Sequence, residues 1–101
     1  MFFFVRTRNL GAGFREQMSE GERETMSAHV AYWTERAREG VAVVFGPVAD
    51  PAGAYGIGVY RAESEEEMRR LLDADPAKEL LEVTMTPMAA AVVGAEVERG
   101  A

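Results

Sequence analysis

The sequence predicts an α+β domain in which two helices cover one face of a four-stranded antiparallel sheet. Three observations carry that prediction. Two helical stretches flank a central pair of strand-like segments, a strand-like segment stands outside each helix, and 101 residues leave room for a single hydrophobic core.

Residues 2–8 are aromatic and β-branched and end in the alternating Val5, Arg6, Thr7, Arg8, which reads as a first strand buried at its beginning and wetter at its end. Asn9 to Gly13 is a glycine-rich turn, and Phe14 to Gly21 reads as a polar loop. From about Glu22 to Glu39 the pattern turns helical: Met26, Val30, Trp33 and Ala37 form one narrow stripe expected to face the core. Gly40 stops this helix, and Val41 to Phe45 is a continuous apolar run suited to an interior strand. The segment GPVADPAG at 46–53 is packed with turn formers, and Tyr55 to Tyr60 alternates as a third strand. Gly56 and Gly58 leave one face of that strand nearly bare, which lets backbone or ligand come close. Ser64 and Glu67 form a capping box, and Met68, Leu71 and Leu72 continue a second helix that ends before Asp75 and Pro76. Ala77 to Leu80 adds a short helical turn, and Leu81, Val83 and Met85 alternate with Glu82, Thr84 and Thr86 as the last strand. The domain is expected over residues 1–87. The tail at 88–101, MAAAVVG followed by charges, has no clear period.

The order β, α, β, β, α, β is that of the ferredoxin-like unit, which leaves one sheet face open. Phe2, Phe3, Phe4 and Val5 cannot all point at the helices, so the open face carries apolar side chains that need a cover. A second copy is the simplest cover, giving a homodimer in which two sheets form a dimeric α/β barrel.

Seventeen acidic residues against 11 scattered basic ones leave no positive surface for phosphates, so nucleic acid is not an expected partner. The chain has no cysteine, which removes disulfides, thiolate nucleophiles and cysteine-based metal sites. No stretch approaches the roughly 20 apolar residues of a membrane-spanning helix, and the opening apolar run, Met1 to Val5, lacks the basic flank of a signal peptide. The expectation is a soluble cytoplasmic protein without a metal or other cofactor.

His29 is the only histidine. It borders the apolar stripe of the first helix at about 70° from its centre. It reads either as a boundary histidine satisfied by backbone or water, or as a general acid or base, since imidazole titrates near neutral pH. Asp50, in the turn after the second strand, is either an Asx-turn residue or the carboxylate that orients His29. Arg15 and Gln17 in the first loop are candidate ligand contacts, because a guanidinium can pair with a carboxylate or enolate. Trp33, Tyr32 and Tyr55 read as pocket walls or as plain core. Ser19 and Ser27 stand in no nucleophile elbow, and neither GAG at 11–13 nor GIG at 56–58 belongs to a phosphate-binding fingerprint.

Taken in order, the hydrophobic first strand, His29 within SAHVAYW, Gly40, GPVADPAG, Gly56, SEEEM, DADP and LLEVTMTP resemble the YciI-like (YCII-related) family over residues 1–87. The resemblance implies a dimeric α/β barrel related to muconolactone isomerase-like proteins. It also implies an active site made of a histidine on the first helix and an aspartate after the second strand, which match His29 and Asp50. FREQ at 14–17 is similar to the LREQ segment of some branches, and Met88 stands where many relatives have an aromatic after the proline. The function expected is that of a small cofactor-independent lyase or isomerase acting on an oxygenated small molecule. The alternative is a noncatalytic ligand-binding or dimerising accessory module.

Overall fold

Strand β1 (Phe2–Asn9) runs through the middle of one four-stranded sheet and is paired antiparallel on both sides. The computed structural model describes residues 1–9 and 18–94. Helix α1 (Glu20–Arg38) follows, then β2 (Ala42–Val48), β3 (Tyr55–Arg61), α2 (Glu65–Asp73), a 3-10 turn (Lys78–Leu80) and β4 (Leu81–Met88). The spatial order β2-β3-β1-β4 completes the expected ferredoxin-like βαββαβ arrangement.

Each boundary has a local cause. Helix α1 starts two residues earlier than its apolar pattern suggests, because Ser19 and Glu22 form a reciprocal capping box at its N-terminus. Its end is a Schellman motif: Val41 N–H donates to Arg36 O at 2.9 Å and Gly40 N–H to Ala37 O at 3.1 Å, with Gly40 at φ +81°. The cap of α2 is simpler, with Ser64 Oγ accepting from Glu67 N–H at 3.1 Å. Strand β2 was expected to be interior and to end at Phe45, but it lies at the sheet edge and continues through Gly46 and Pro47 to Val48. An edge strand needs ladder bonds on one side only, so a proline is accommodated there, and Pro87 sits in the other edge strand, β4, for the same reason.

The core lies between the helices and one sheet face, built on Phe3, Val5, Tyr60, Trp33, Met68, Ala42 and Ala62. The register puts Phe4, Val59 and Thr86 on the opposite face, together with Arg6, Ile57 and Thr84. No described helix covers that face, and Phe4 and Val44 are 39% and 51% exposed on it.

The stripe expected on α1 is rotated. Val30 is half exposed and Ala37 is exposed, whereas His29 and Arg36 turn inward beside Trp33. Polar bonds beneath the helix, described next, set that rotation. The tail from residue 95 lies outside the described residues.

Candidate functional site

Asp75 occupies the bend between α2 and β4 and is only 8% exposed. Its backbone is fixed on both sides: Asp75 N–H donates to Leu72 O at 3.2 Å, and Lys78 N–H donates to Asp75 O at 3.1 Å. One side-chain oxygen, Oδ1, accepts from Ala77 N–H at 2.8 Å, closing an Asx turn. The other, Oδ2, faces α1 and accepts from two side chains at once, His29 Nδ1 at 2.7 Å and Trp33 Nε1 at 2.8 Å. Positions 29 and 33 are one helical turn apart, so a single carboxylate oxygen reaches both.

This geometry assigns the imidazole tautomer. An ionised carboxylate only accepts, so Nδ1 carries a proton, and in the neutral ring it is Nε2 that keeps the lone pair. Nε2 has no hydrogen-bond partner among the described residues, and the His29 side chain keeps 15% of its surface exposed. Burial pushes the Asp75 carboxyl up. The bonds from His29, Ala77 and Trp33 and the charge of His29 act against it, and the net result lies below the ordinary carboxylate value. The acid is therefore ionised at neutral pH.

Behind the pair stands an aromatic wall. Trp33, 1% exposed, packs against Tyr60 with ring centroids 4.3 Å apart and meets Tyr32 edge-on at 4.9 Å. The Tyr32 hydroxyl donates to Leu71 O at 2.7 Å, tying α1 to α2. The Tyr60 ring lies back along its own strand over Gly58, where an added Cβ would collide with the phenol. The bare strip expected along β3 is thus filled from within the chain, by Tyr60 over Gly58 and by Thr7 over Gly56. Burial first, and then the charge of Asp75, hold the Tyr60 phenol far above its usual range, so it stays protonated.

The other expected residues are placed differently. Asp50 is exposed, and its Oδ1 accepts from Ala52 N–H at 2.9 Å in an Asx turn. The carboxylate on His29 is therefore Asp75, and the pairing of His29 with Asp50 expected from sequence does not form within the subunit. Tyr55 lies on the uncovered sheet face, where the Arg6 guanidinium stacks over its ring at 4.1 Å. The sheet separates it from Trp33, so the two do not line one pocket in a subunit. Arg15 and Gln17 lie outside the described residues. Among the described residues, one hollow of about 460 Å³ lies between α2 and β4 near Leu72, Lys78 and Val83, and another of about 350 Å³ lies on the uncovered sheet face near Phe4, Arg6 and Thr86. Neither is lined by His29 or Asp75, and both are open grooves, so chemistry is better located by the polar cluster than by volume. Among the described residues no three histidine or acidic side chains converge as a metal-ligand set, and no helix is long and apolar enough to cross a membrane.

Sheet order and helix placement define a ferredoxin-like α+β subunit. The chain belongs to the YCII-related domain family, which matches residues 2–88. Among solved structures it is similar to 5-chloro-2-hydroxyhydroquinone dehydrochlorinase (TftG) from Burkholderia phenoliruptrix AC1100, in complex with 2,5-dihydroxybenzoquinone. The identity is 18% and the TM-score 0.66, over 90% of this chain and 96% of that one. It is also similar to SnoaB, a cofactor-independent oxygenase from Streptomyces nogalater, at 17% identity and TM-score 0.47, over 90% and 94% of the two chains. No curated protein matches the chain.

Two residues of the site escaped sequence reasoning. Asp75 stands before a proline at a helix end, where it reads as punctuation, and Tyr60 reads as one more alternating strand residue. The available signal for Asp75 was its repeat of a motif: Asp-Pro-Ala occurs at both 50–52 and 75–77, and both copies close the same Asx turn.

Proposed function

We propose that the protein is a small acid/base enzyme of the lyase or isomerase kind, in which His29 Nε2 moves a proton on an oxygenated small molecule and Asp75 supports the ring. The observation that carries this reading is the 2.7 Å contact between His29 Nδ1 and a buried Asp75 that is also held by Trp33 and Ala77. A carboxylate fixed by other donors cannot swing away, so it holds the imidazole in one tautomer and stabilises the imidazolium that forms when Nε2 takes a proton. Returning that proton to another atom of the substrate completes an isomerisation, and expelling a leaving group completes an elimination. Neither route calls for a cofactor. The dihydroxybenzoquinone bound by the dehydrochlorinase makes hydroxylated aromatics the first compounds to try, with enolisable acids second.

The experiment is a turnover screen of these compounds against wild type, His29→Ala, Asp75→Asn and Asp50→Ala. General acid/base groups contribute roughly 10²- to 10⁴-fold, so His29→Ala is expected to lose at least about 100-fold in kcat. Asp75→Asn is expected to lose less and Asp50→Ala to stay within about twofold. Turnover that survives His29→Ala unchanged would sink the acid/base reading. A ligand bound by wild type without turnover would favour the accessory-module alternative.

The same reading includes a homodimer formed through the uncovered sheet face. Phe4 and Val44 are exposed there beside Ile57 and Val59, a combination that an isolated sheet face does not tolerate well in water. Light scattering at micromolar concentration is expected to return twice the subunit mass of 11.1 kDa, and Phe4→Lys to return the single mass. A wild-type value of one subunit contradicts the dimer.

A further inference from the structure

The Tyr60 hydroxyl makes no hydrogen bond to the other described residues, although Tyr60 is only 4% exposed. The Thr7 hydroxyl likewise makes no hydrogen bond to the other described residues. Gly58 pairs with Val5 and Gly56 with Thr7 across the β1–β3 ladder, and the two hydroxyls rest over these glycines on the helix side of the sheet, the side on which His29 lies. Alternate residues of a strand are about 6–7 Å apart, which sets the scale of separation between the two glycine positions. Any larger residue at either position would fill the place its hydroxyl now holds.

We propose that the Tyr60 and Thr7 hydroxyls form the oxygen-binding wall of the His29 site, each hydrogen-bonding an oxygen substituent of a small polyoxygenated ring held at the β1–β3 edge of the core on the helix side of the sheet. This deepens the acid/base reading and rests on it: His29 works on the ligand from the helix, and the sheet orients it. A protonated phenol donates to a carbonyl or phenolate oxygen, and the threonine hydroxyl donates or accepts as the ligand requires. Two hydroxyls aimed at one ligand discriminate against analogues lacking oxygen, because each would then be left facing the ligand unpaired.

The test uses 2,5-dihydroxybenzoquinone as probe and the fluorescence of Trp33, the chain's only tryptophan, as the readout, since its ring packs on Tyr60. Tyr60→Phe and Thr7→Val remove the two oxygens and keep the bulk. Each is expected to raise the Kd for the probe about tenfold, with Thr7→Ser restoring affinity and the thermal midpoint little changed, because neither hydroxyl bonds to another described residue. On a turned-over substrate, Tyr60→Phe is expected to raise KM more than it lowers kcat, which a merely structural role would not do. Gly58→Ala is expected to weaken the probe through displacement of the phenol. Wild-type affinity in both Tyr60→Phe and Thr7→Val, or no titration of wild type at millimolar probe, overturns the proposal. Its failure is distinguishable from that of the acid/base reading, which stands or falls on His29→Ala alone.

Discussion

Asp75→Ala is expected to cost about 3–5 kcal/mol of folding stability, a large share of the roughly 5–15 kcal/mol available to a domain of this kind. The substitution removes one side chain and strands three donors. Trp33 Nε1 is the most damaging of these, because its ring is fully buried and no water can replace the lost acceptor. His29 loses the partner that fixes its ring, and the Ala77 N–H loses the closure of its turn. Asp75→Asn is expected to cost less, since an amide still offers one acceptor, but its NH₂ must face one of the same donors. The pH dependence follows from the direction of the carboxyl shift. The folded value lies below the ordinary one, so the unfolded chain binds the proton more readily, and Asp75 contributes its full stability above an ordinary carboxylate value of 3.8. That contribution is lost as pH falls from there through the folded value. Urea denaturation of wild type and Asp75→Ala at pH 7 and near pH 3 is therefore expected to show the gap between them narrowing in acid. A gap as wide at pH 3 as at pH 7 would contradict an ionised, bonded Asp75.

That residue also marks how far the sequence carried. Local chemistry fixed the elements: the glycine after α1, the serine before α2 and the alternation in β4 are each recorded within a few residues, and each element formed in the expected order. Errors arose where a distant neighbour decides. The pattern Gly-Pro-Val reads as a turn, yet it is strand in β2 because that strand has an unpaired side, a property of sheet order that no local window contains. The apolar spacing along α1 favours Val30 over His29 for the buried stripe. In the fold, two hydrogen bonds to Asp75 turn His29 and Trp33 inward and leave Val30 outside. The two Asp-Pro-Ala copies are the sharpest case. They are identical in sequence and in turn geometry, and they differ only in what lies across from the second oxygen: solvent for Asp50, a helix 42 and 46 residues away for Asp75. Burial, rather than motif, distinguishes the acid that can hold a histidine.

Trp33→Ala is the second large effect, expected at about 3–5 kcal/mol, the range for removing a fully buried aromatic ring. Trp33 is the largest wholly buried side chain among the described residues and touches both Tyr32 and Tyr60, so its loss leaves a cavity that α1 and β3 cannot close without sliding past each other. Trp33→Phe separates packing from hydrogen bonding. It keeps most of the ring but deletes the Nε1 donor, one of the bonds that lower the Asp75 carboxyl. With that bond gone and burial unchanged, the carboxyl rises, so acid unfolding should begin at a higher pH than in wild type even where the stability at pH 7 has fallen only modestly. Circular dichroism across an acid titration measures the shift. An acid midpoint that stays in place in Trp33→Phe would show that the indole donor contributes nothing to holding Asp75 ionised, and that His29 and the Asx turn do so without it.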